Sequence, residues 1–481
     1  MANELSQKSG VKIAGIEIKG ITCNSKYVHK DFVFVAINGN RQDGSHFIDE
    51  AVGKGASIVV TQGSMPKIKI PKNVKLLRVG DCRKFLAEEV SRFYGSPSDK
   101  LKAIGITGTN GKTTISYLIE AIAKQSGLSC GVIGTINYRF KGKVIASKNT
   151  TPGPEDLQGL LAKMLAQGVK YCAMEVSSHA LDQERVARIN FSHAIFTNLT
   201  HDHLDYHKNL ENYFLAKAKL FRSLPASSFA IINNDDKHAY RIKRLTVAKI
   251  ITYGIEKRST VFARDIDFGM HSTEFYLAAP KLNIRIKTNL IGRYNIYNIL
   301  AAVSWGISEN LSIKDIKSAI EKFKNVPGRL ENVSCKKGCS IFVDYAHTPD
   351  ALFNVISALR PLVEGRIIVV FGCGGERDKL KRPKMGKVVT GLADYAIITS
   401  DNPRSEDPGM IIKDICAGIH KNNYCLRPER FEAIRAGLSM AGKNDCLLIA
   451  GKGHENCQVL KDKVLDFSDQ EVVRKCLKLM K

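Results

Sequence analysis

The chain has 481 residues, 44% hydrophobic and 25% charged, the make-up of a globular protein long enough for about three domains. No run approaches the roughly 20 unbroken apolar residues of a membrane span. Residues 1–19 are polar and then alternating, so neither membrane insertion nor an export signal is expected.

The net charge of +25 admits a solvated basic surface, attraction of polyanionic small molecules, or nucleic-acid binding. The last is disfavoured, because no basic block is interleaved with aromatics. Twelve cysteines are scattered without a Cys-x-x-Cys pair, which points to a reducing cytoplasm.

In chain order, residues 32–37 are a short apolar run, 38–45 are turn-rich, 47–54 are helix-like and 57–61 are apolar again. This reads as a small α/β unit ending at the linker residues Gly95, Pro97 and Ser98. A second unit opens with Lys102–Thr107, a glycine-rich loop and a helical pattern Lys112–Gln125 closed by Gly127. Apolar runs at 171–176, 194–197 and 229–232 alternate with helical stretches such as 210–224, the pattern of a parallel sheet covered on both faces. A third unit starts near Pro327 and Gly328, with strand-like runs at 341–343, 366–371, 395–399 and Cys446–Ala450. The expected fold class is therefore α/β, with domains at 1–98, 99–327 and 328–481, and ligands beyond the carboxyl ends of the strands.

Gly108, Thr109, Asn110, Gly111, Lys112, Thr113 and Thr114 lie between a strand and a helix. Glycines let backbone N–H groups converge on phosphate oxygens, and the helix N-terminus adds partial positive charge. Lys112 can reach the β- and γ-phosphates, and the Thr113 hydroxyl can ligate Mg²⁺. Ile106 occupies the first glycine position of the strict G-x-x-x-x-G-K-T pattern. An incidental lysine in a glycine-rich turn would not explain the strand–loop–helix setting or the doubled threonine.

Met174-Glu175-Val176-Ser177-Ser178-His179 ends the next strand with an acid, hydroxyls and an imidazole. Mg²⁺ takes few protein oxygens beside phosphate and water, so Glu175 is a sensible partner for Thr113. His201-Asp202-His203-Leu204-Asp205-Tyr206-His207, taken alone, reads as a zinc site or a surface cluster. Zinc hydrolysis would leave the nucleotide loop without a purpose. Lys217, taken alone, is an ordinary helix-face lysine.

TGTNGKTT, MEVSSHALDQERV, FTNLTHDHLDYH, GRYNIYN, PGRLE, VDYAHTPDAL, FGCGGERDKLKRPKMG, DNPR and GKGHE stand here in that order. Together they resemble the Mur ligases of peptidoglycan synthesis, and among these the ones that add diaminopimelate. The resemblance runs from about Thr22 to the C-terminus. It implies a small N-terminal α/β domain for the UDP end of the substrate, a central P-loop-type ATPase domain and a Rossmann-like C-terminal domain that closes over the site. It also implies an ADP-forming reaction. ATP phosphorylates the D-glutamate γ-carboxylate of UDP-N-acetylmuramoyl-L-alanyl-D-glutamate, and the amine of meso-2,6-diaminopimelate attacks the acyl phosphate.

By the same resemblance Mg²⁺ is the cofactor and a monomer is expected. Thr113, Glu175 and His203 are implied as metal ligands, Lys112 as a catalytic cation and Lys217 as a carbamylated lysine. Asn295 and Asn298 fall on the adenine side, Arg329 near the γ-phosphate and Asp344 on the ribose side. Ser25, Asn40, Arg41 and Gln42 are implied near the UDP end, and Thr150, Thr151, Ser177, Gln183 and Arg185 along the peptidyl arm. Asn24-Ser25-Lys26 stands where Asp-Ser-Arg is usual in the family, and Asp31-Phe32 where Gly-Asp is usual.

Asp401-Asn402-Pro403-Arg404 bears on the amino acid added. Diaminopimelate differs from lysine by a second carboxylate, which a guanidinium fork can hold bidentately; lysine would leave that fork unpaired. The resemblance adds Arg377, Gly451 and Glu455 to this pocket. The alternatives are the same reaction with L-lysine, or a folylpolyglutamate-synthase-type ligase, which shares the loop but is not expected to carry DNPR with GKGHE.

Overall fold

β1 (Lys12–Ile13) and β2 (Ile16–Glu17) form a small antiparallel hairpin. They lead into a parallel sheet of β3 (Gly20–Thr22), β4 (Phe32–Val35), β5 (Ala56–Gln62) and β6 (Lys75–Val79), in that spatial order. β4 is buried at every position because both faces are covered, the usual fate of parallel strands. Val33, Leu86 and Val90 pack on one side, against the helix Cys82–Phe93. Phe34, Ile48 and Ala51 pack on the other, against the helix Ile48–Gly53. The computed structural model describes residues 10–39, 42–63, 70–280, 282–335 and 337–479. Asn40 and Arg41, implied near the UDP end, lie outside these residues.

The central sheet is built from β7 (Lys102–Thr107), β8 (Cys130–Ile133), β9 (Asn137–Phe140), β10 (Lys143–Ala146), β11 (Tyr171–Glu175) and β12 (Phe191–Phe196). It continues with β13 (Phe229–Asn233), β14 (Lys249–Gly254), β15 (Val261–Phe268), β16 (Thr273–Ala279) and β17 (Leu282–Thr288). The spatial order is β10-β9-β8-β11-β7-β12-β13-β14-β15-β16-β17. β8 through β15 in that order run parallel, as the alternating apolar runs lead one to expect. Both edges are antiparallel. Along β17, Asn283, Arg285 and Lys287 are exposed while alternate residues turn inward, as on a sheet with one face in water.

The helices Lys112–Gln125 and Arg293–Ser308 cover one face through Ile115, Ile119, Ile299 and Val303. The helices Pro154–Ala166 and Leu210–Arg222 cover the other through Leu157, Leu161, Phe214 and Phe221. The chain leaves β7 toward β8 on one side and later fills β12 on the other. The carboxyl end of β7 is thus a topological switch point, where ligands of open α/β sheets bind.

The third sheet comprises β18 (Glu331–Asn332), β19 (Ser340–Asp344), β20 (Ile367–Phe371), β21 (Tyr395–Ile398), β22 (Tyr424–Leu426) and β23 (Cys446–Ala450). Its order is β18-β19-β23-β20-β21-β22, parallel except at the β18 edge. Separate apolar clusters cover its two faces. A hairpin of β24 (Cys457–Val459) and β25 (Val464–Asp466) follows. Among the described residues no helix is long and apolar enough to cross a membrane.

Candidate active site

Residues following β7, β11 and β12 of the central sheet, and β19, β20, β21 and β23 of the third, line one cleft of about 1000 Å³. The phosphate-loop residues from Thr109 to Thr114 form part of its wall. The loop is tied to the end of β12: Asn110 N donates to Asn198 Oδ1 at 3.0 Å, and Thr197 Oγ1 donates to Asn110 O at 2.7 Å. Gly111 has φ of +90°, and a Cβ there would stand 2.4 Å from Asn298 Oδ1. Only glycine serves at this position. Asn298 Nδ2 donates to Asn295 Oδ1 at 3.0 Å, and Asn295 Nδ2 to Ile291 O at 2.8 Å, so the two asparagines form one braced pair beside the loop.

Lys112 Nζ donates to Gly108 O at 2.9 Å and Thr109 O at 2.8 Å. Burial lowers its pKa, opposed by the charges of Glu175 and Asp202. Thr113 Oγ1 donates to Glu175 Oε2 at 3.0 Å and accepts from Arg329 Nη2 at 3.1 Å. Glu175 is 1% exposed and also accepts from Thr135 N and Thr135 Oγ1, each at 2.9 Å. Asp344 accepts from Leu330 N at 2.6 Å and Ala346 N at 2.7 Å, and burial raises its pKa against the pull of Arg329.

Lys217 is not the helix-face lysine its type alone indicates. It is 1% exposed, its Nζ donates to Gly108 O at 2.9 Å, and it lies 4.4 Å from the Tyr213 ring centroid. Burial, and then Lys112, push its pKa well below the ordinary lysine value. The signal was present in the spacing: position 217 falls four residues after Tyr213, three after Phe214 and four before Phe221, on the buried stripe of its helix.

The histidines do not converge on a single point. His203 lines the cleft with its Nε2 3.4 Å from Asp202 Oδ2. Its pKa is depressed to about 3, by burial first, with Asp202 opposing. His207 Nε2 pairs instead with Ser178 Oγ at 2.9 Å, and His201 Nε2 lies 3.7 Å from Asp378. Among the described residues no three His, Cys, Asp or Glu side chains could hold a metal ion together. A resident zinc site is therefore a poor fit. Mg²⁺ shared with phosphate oxygens fits better, because it needs only one or two protein oxygens such as Thr113 Oγ1 and the Glu175 carboxylate.

Thr150, Thr151, Ser177 and Arg185 line the cleft as well. Arg185 Nη1 donates to Thr151 O at 2.9 Å, and Nη2 to Gln183 Oε1 at 2.6 Å, so Gln183 sits behind the arginine and orients it. Ser25 and Gln42 are not among the lining residues. Ser25 Oγ donates to Glu50 Oε2 at 2.6 Å, and Gln42 is exposed. Asn24 caps the turn at Ser25 by accepting from Lys26 N at 3.0 Å, while Asp31 pairs with Lys19 at 2.7 Å. Glu155 connects this domain to the central one by accepting from Cys23 N at 3.0 Å.

Across the cleft lie Arg377, Asp401, Asn402, Arg404, Gly451 and Glu455. Arg404 Nη1 is anchored on Gly375 O at 2.7 Å, and its backbone takes φ of 54°. Asn402 Nδ2 donates to Glu455 Oε2 at 2.7 Å. Gly451 has φ of +115°, and a Cβ there would sit 2.5 Å from Asp401 Oδ2. Pro403 does not line the cleft; it supplies its carbonyl to Glu406 N at 3.0 Å.

Sequence reasoning missed Asp350, Asn198, His347 and Lys381, all of which line the cleft. Asp350 accepts from Asn110 Nδ2 at 2.8 Å and Thr200 Oγ1 at 3.1 Å, so it links the third domain to the phosphate loop. It sits in the first turn of the helix Pro349–Leu359, inside the VDYAHTPDAL motif, in which the resemblance gives a role to Asp344 alone.

Residues 17–94, 106–306 and 328–453 match the models for the Mur ligase family catalytic domain, the Mur ligase middle domain and the Mur ligase glutamate ligase domain. The chain is 42% identical over 464 residues to the UDP-N-acetylmuramoyl-L-alanyl-D-glutamate–2,6-diaminopimelate ligase of Clostridium botulinum, covering 96% of this chain and 95% of that one. It is 44% identical over 465 residues to ligase 1 of the same name from Clostridium acetobutylicum, again covering 96% and 95%. A solved structure of a ligase of this name superposes with a TM-score of 0.70 at 30% identity, covering 98% of this chain and 97% of that chain.

Proposed function

The chain belongs to the Mur ligase family, and we propose that it joins meso-2,6-diaminopimelate to the D-glutamate γ-carboxylate of UDP-N-acetylmuramoyl-L-alanyl-D-glutamate. It uses ATP, forms ADP and serves cytoplasmic synthesis of peptidoglycan precursors. The observation that carries this reading is one shared cleft. The phosphate loop stands on one wall, and the Asn402, Arg404 and Glu455 cluster stands on the other.

A carboxylate becomes an electrophile only when one of its oxygens is turned into a leaving group. The glutamate oxygen attacks the γ-phosphorus and ADP departs. The amine then attacks the acyl carbon, inorganic phosphate leaves, and the amine loses a proton as the amide forms. Bringing carboxylate and triphosphate together sets anion against anion. Lys112, Arg329 and the N-terminus of the helix Lys112–Gln125 offset that repulsion. Thr113 and Glu175, with His203 nearby, would hold Mg²⁺, which supplies further charge neutralisation.

Asn295, Asn298 and Asp344 take the nucleoside end of ATP. Lys217, whose ammonium form is disfavoured by burial, adds the nitrogen of its free amine to the carbon of CO₂ and releases a proton. The resulting carbamate turns a buried cation into an anionic oxygen donor beside the phosphate loop. Thr150, Thr151, Ser177 and Arg185, with Gln183 behind, hold the peptidyl arm; Ser25, Asn40, Arg41 and Gln42 serve the UDP end. Arg377 and Arg404 take the distal carboxylate of diaminopimelate, and Asp401 and Glu455 its ammonium, with Asn402 bracing Glu455. The domains divide at residues 98 and 327, and the protein acts as a monomer.

Hydroxylamine tests the intermediate. With ATP, Mg²⁺ and the UDP-dipeptide but no amino acid, hydroxylamine should intercept the acyl phosphate as a hydroxamate on the glutamate side chain. ADP formation with no hydroxamate would remove the acyl phosphate from the mechanism.

A further inference from the structure

The GKGHE segment contributes a residue that does not line the cleft but lies directly behind its wall. Lys452 follows β23 and Gly451, and its side chain is 0% exposed. An ammonium has three hydrogens to donate. Here all three are taken, by Asn402 Oδ1 at 3.0 Å, Glu455 Oε2 at 3.1 Å and Cys457 O at 2.6 Å. None remains for a ligand. The turn through Gly453, with φ of 53° and Glu455 N donating to Lys452 O at 3.0 Å, folds Glu455 back over the lysine.

Asn402 Oδ1 accepts from both Lys452 Nζ and Val459 N, the latter at 2.9 Å. A flipped amide would set its NH₂ group against two donors, so the lysine decides which end of Asn402 is oxygen. Nδ2 is thereby turned to Glu455 Oε2 at 2.7 Å. Glu455 in turn receives both of its bonds on Oε2, which makes Oε1 the oxygen available to an incoming ammonium.

We propose that Lys452 is a positioning residue for the amino-acid pocket: it locks the Asn402 amide and the Glu455 carboxylate in the one arrangement that receives the amine-bearing centre of the substrate. The inference rests on the diaminopimelate reading above and deepens it. A buried charge whose partners are pocket residues couples them rigidly, and its removal frees both at once.

The test is steady-state kinetics of the full chain bearing Lys452→Met, Glu455→Gln or both, with thermal melting recorded for each. Lys452→Met should raise the KM for diaminopimelate about tenfold or more while the KM for ATP stays within about twofold. The double variant should exceed the worse single variant by no more than about twofold, because the lysine acts through Glu455 and Asn402. If Lys452→Met does not fold, Lys452→Gln, which keeps an amide donor, takes its place with the same expected split. An unchanged diaminopimelate KM, equal losses for both substrates, or multiplying effects in the double variant would overturn the proposal. Wild-type enzyme inert toward diaminopimelate would overturn the functional reading and this inference with it.

Discussion

Lys217 and Arg404 are both single cations, but the chain hides one and presents the other. Lys217 lies under the phosphate loop, where desolvation favours the neutral amine that CO₂ requires. Lys217→Ala is expected to abolish turnover, and added short carboxylates should restore a fraction of it by occupying the vacated volume. Undiminished activity in phosphate-release assays would remove the carbamate. Arg404 is held at one nitrogen by Gly375 O and borders the cleft. Arg404→Ala should raise the KM for diaminopimelate roughly tenfold to a hundredfold, the worth of a hydrogen bond to a charged group, and leave the KM for ATP in place. Residue type alone misjudged Lys217, whereas its helical spacing placed it on the buried stripe. For Lys452 no such periodicity exists, because its acceptors come from segments about fifty residues apart in the chain and meet only in the fold.

At the scale of elements, the phosphate loop was legible because its chemistry is local. β7 and the helix Lys112–Gln125 have the same bounds in the structure as in the sequence reading. Gly111→Ala should therefore act locally too. Its positive φ and the 2.4 Å approach to Asn298 Oδ1 oppose any Cβ. We expect the KM for ATP to rise by about tenfold or more with the diaminopimelate KM little changed; an unaltered ATP KM would mean that the loop tolerates the substitution. The antiparallel edge strands were not legible. β15, β16 and β17 alternate in burial only in part, and their pairing is specified by the cross-strand partners they find rather than by their own composition.

At the scale of the whole molecule, the central and third sheets share one cleft, and the bonds that join them are few and specific. Asn110 to Asp350 and Arg329 to Thr113 both connect the phosphate loop to the third domain. The motifs announced Asn110, Thr113 and Arg329 but not Asp350, and only the fold shows that the four meet. Stability carries a pH signature of its own. His193, remote from the cleft, bonds Ser192 Oγ and Ser308 Oγ, and burial depresses its pKa from 6.5 to about 4, with Glu309 opposing. Because the folded value is the lower one, the unfolded chain takes up this proton first as pH falls. The stabilisation is complete above about pH 6.5 and drains away toward pH 4, with a loss on the order of 2 kcal/mol by pH 5. Melting temperatures of the wild type should fall more steeply between pH 7 and 5 than those of His193→Asn; parallel curves would contradict this assignment.

The central claim is that the two walls of this cleft form a diaminopimelate-adding ligase. Phosphate release by the purified protein with UDP-N-acetylmuramoyl-L-alanyl-D-glutamate, ATP and Mg²⁺ measures it directly, with meso-diaminopimelate and L-lysine compared at equal concentration. The account predicts rapid release with diaminopimelate and at most a few per cent of that rate with lysine, whose missing carboxylate leaves Arg404 unpaired. Equal rates with the two amino acids would contradict it.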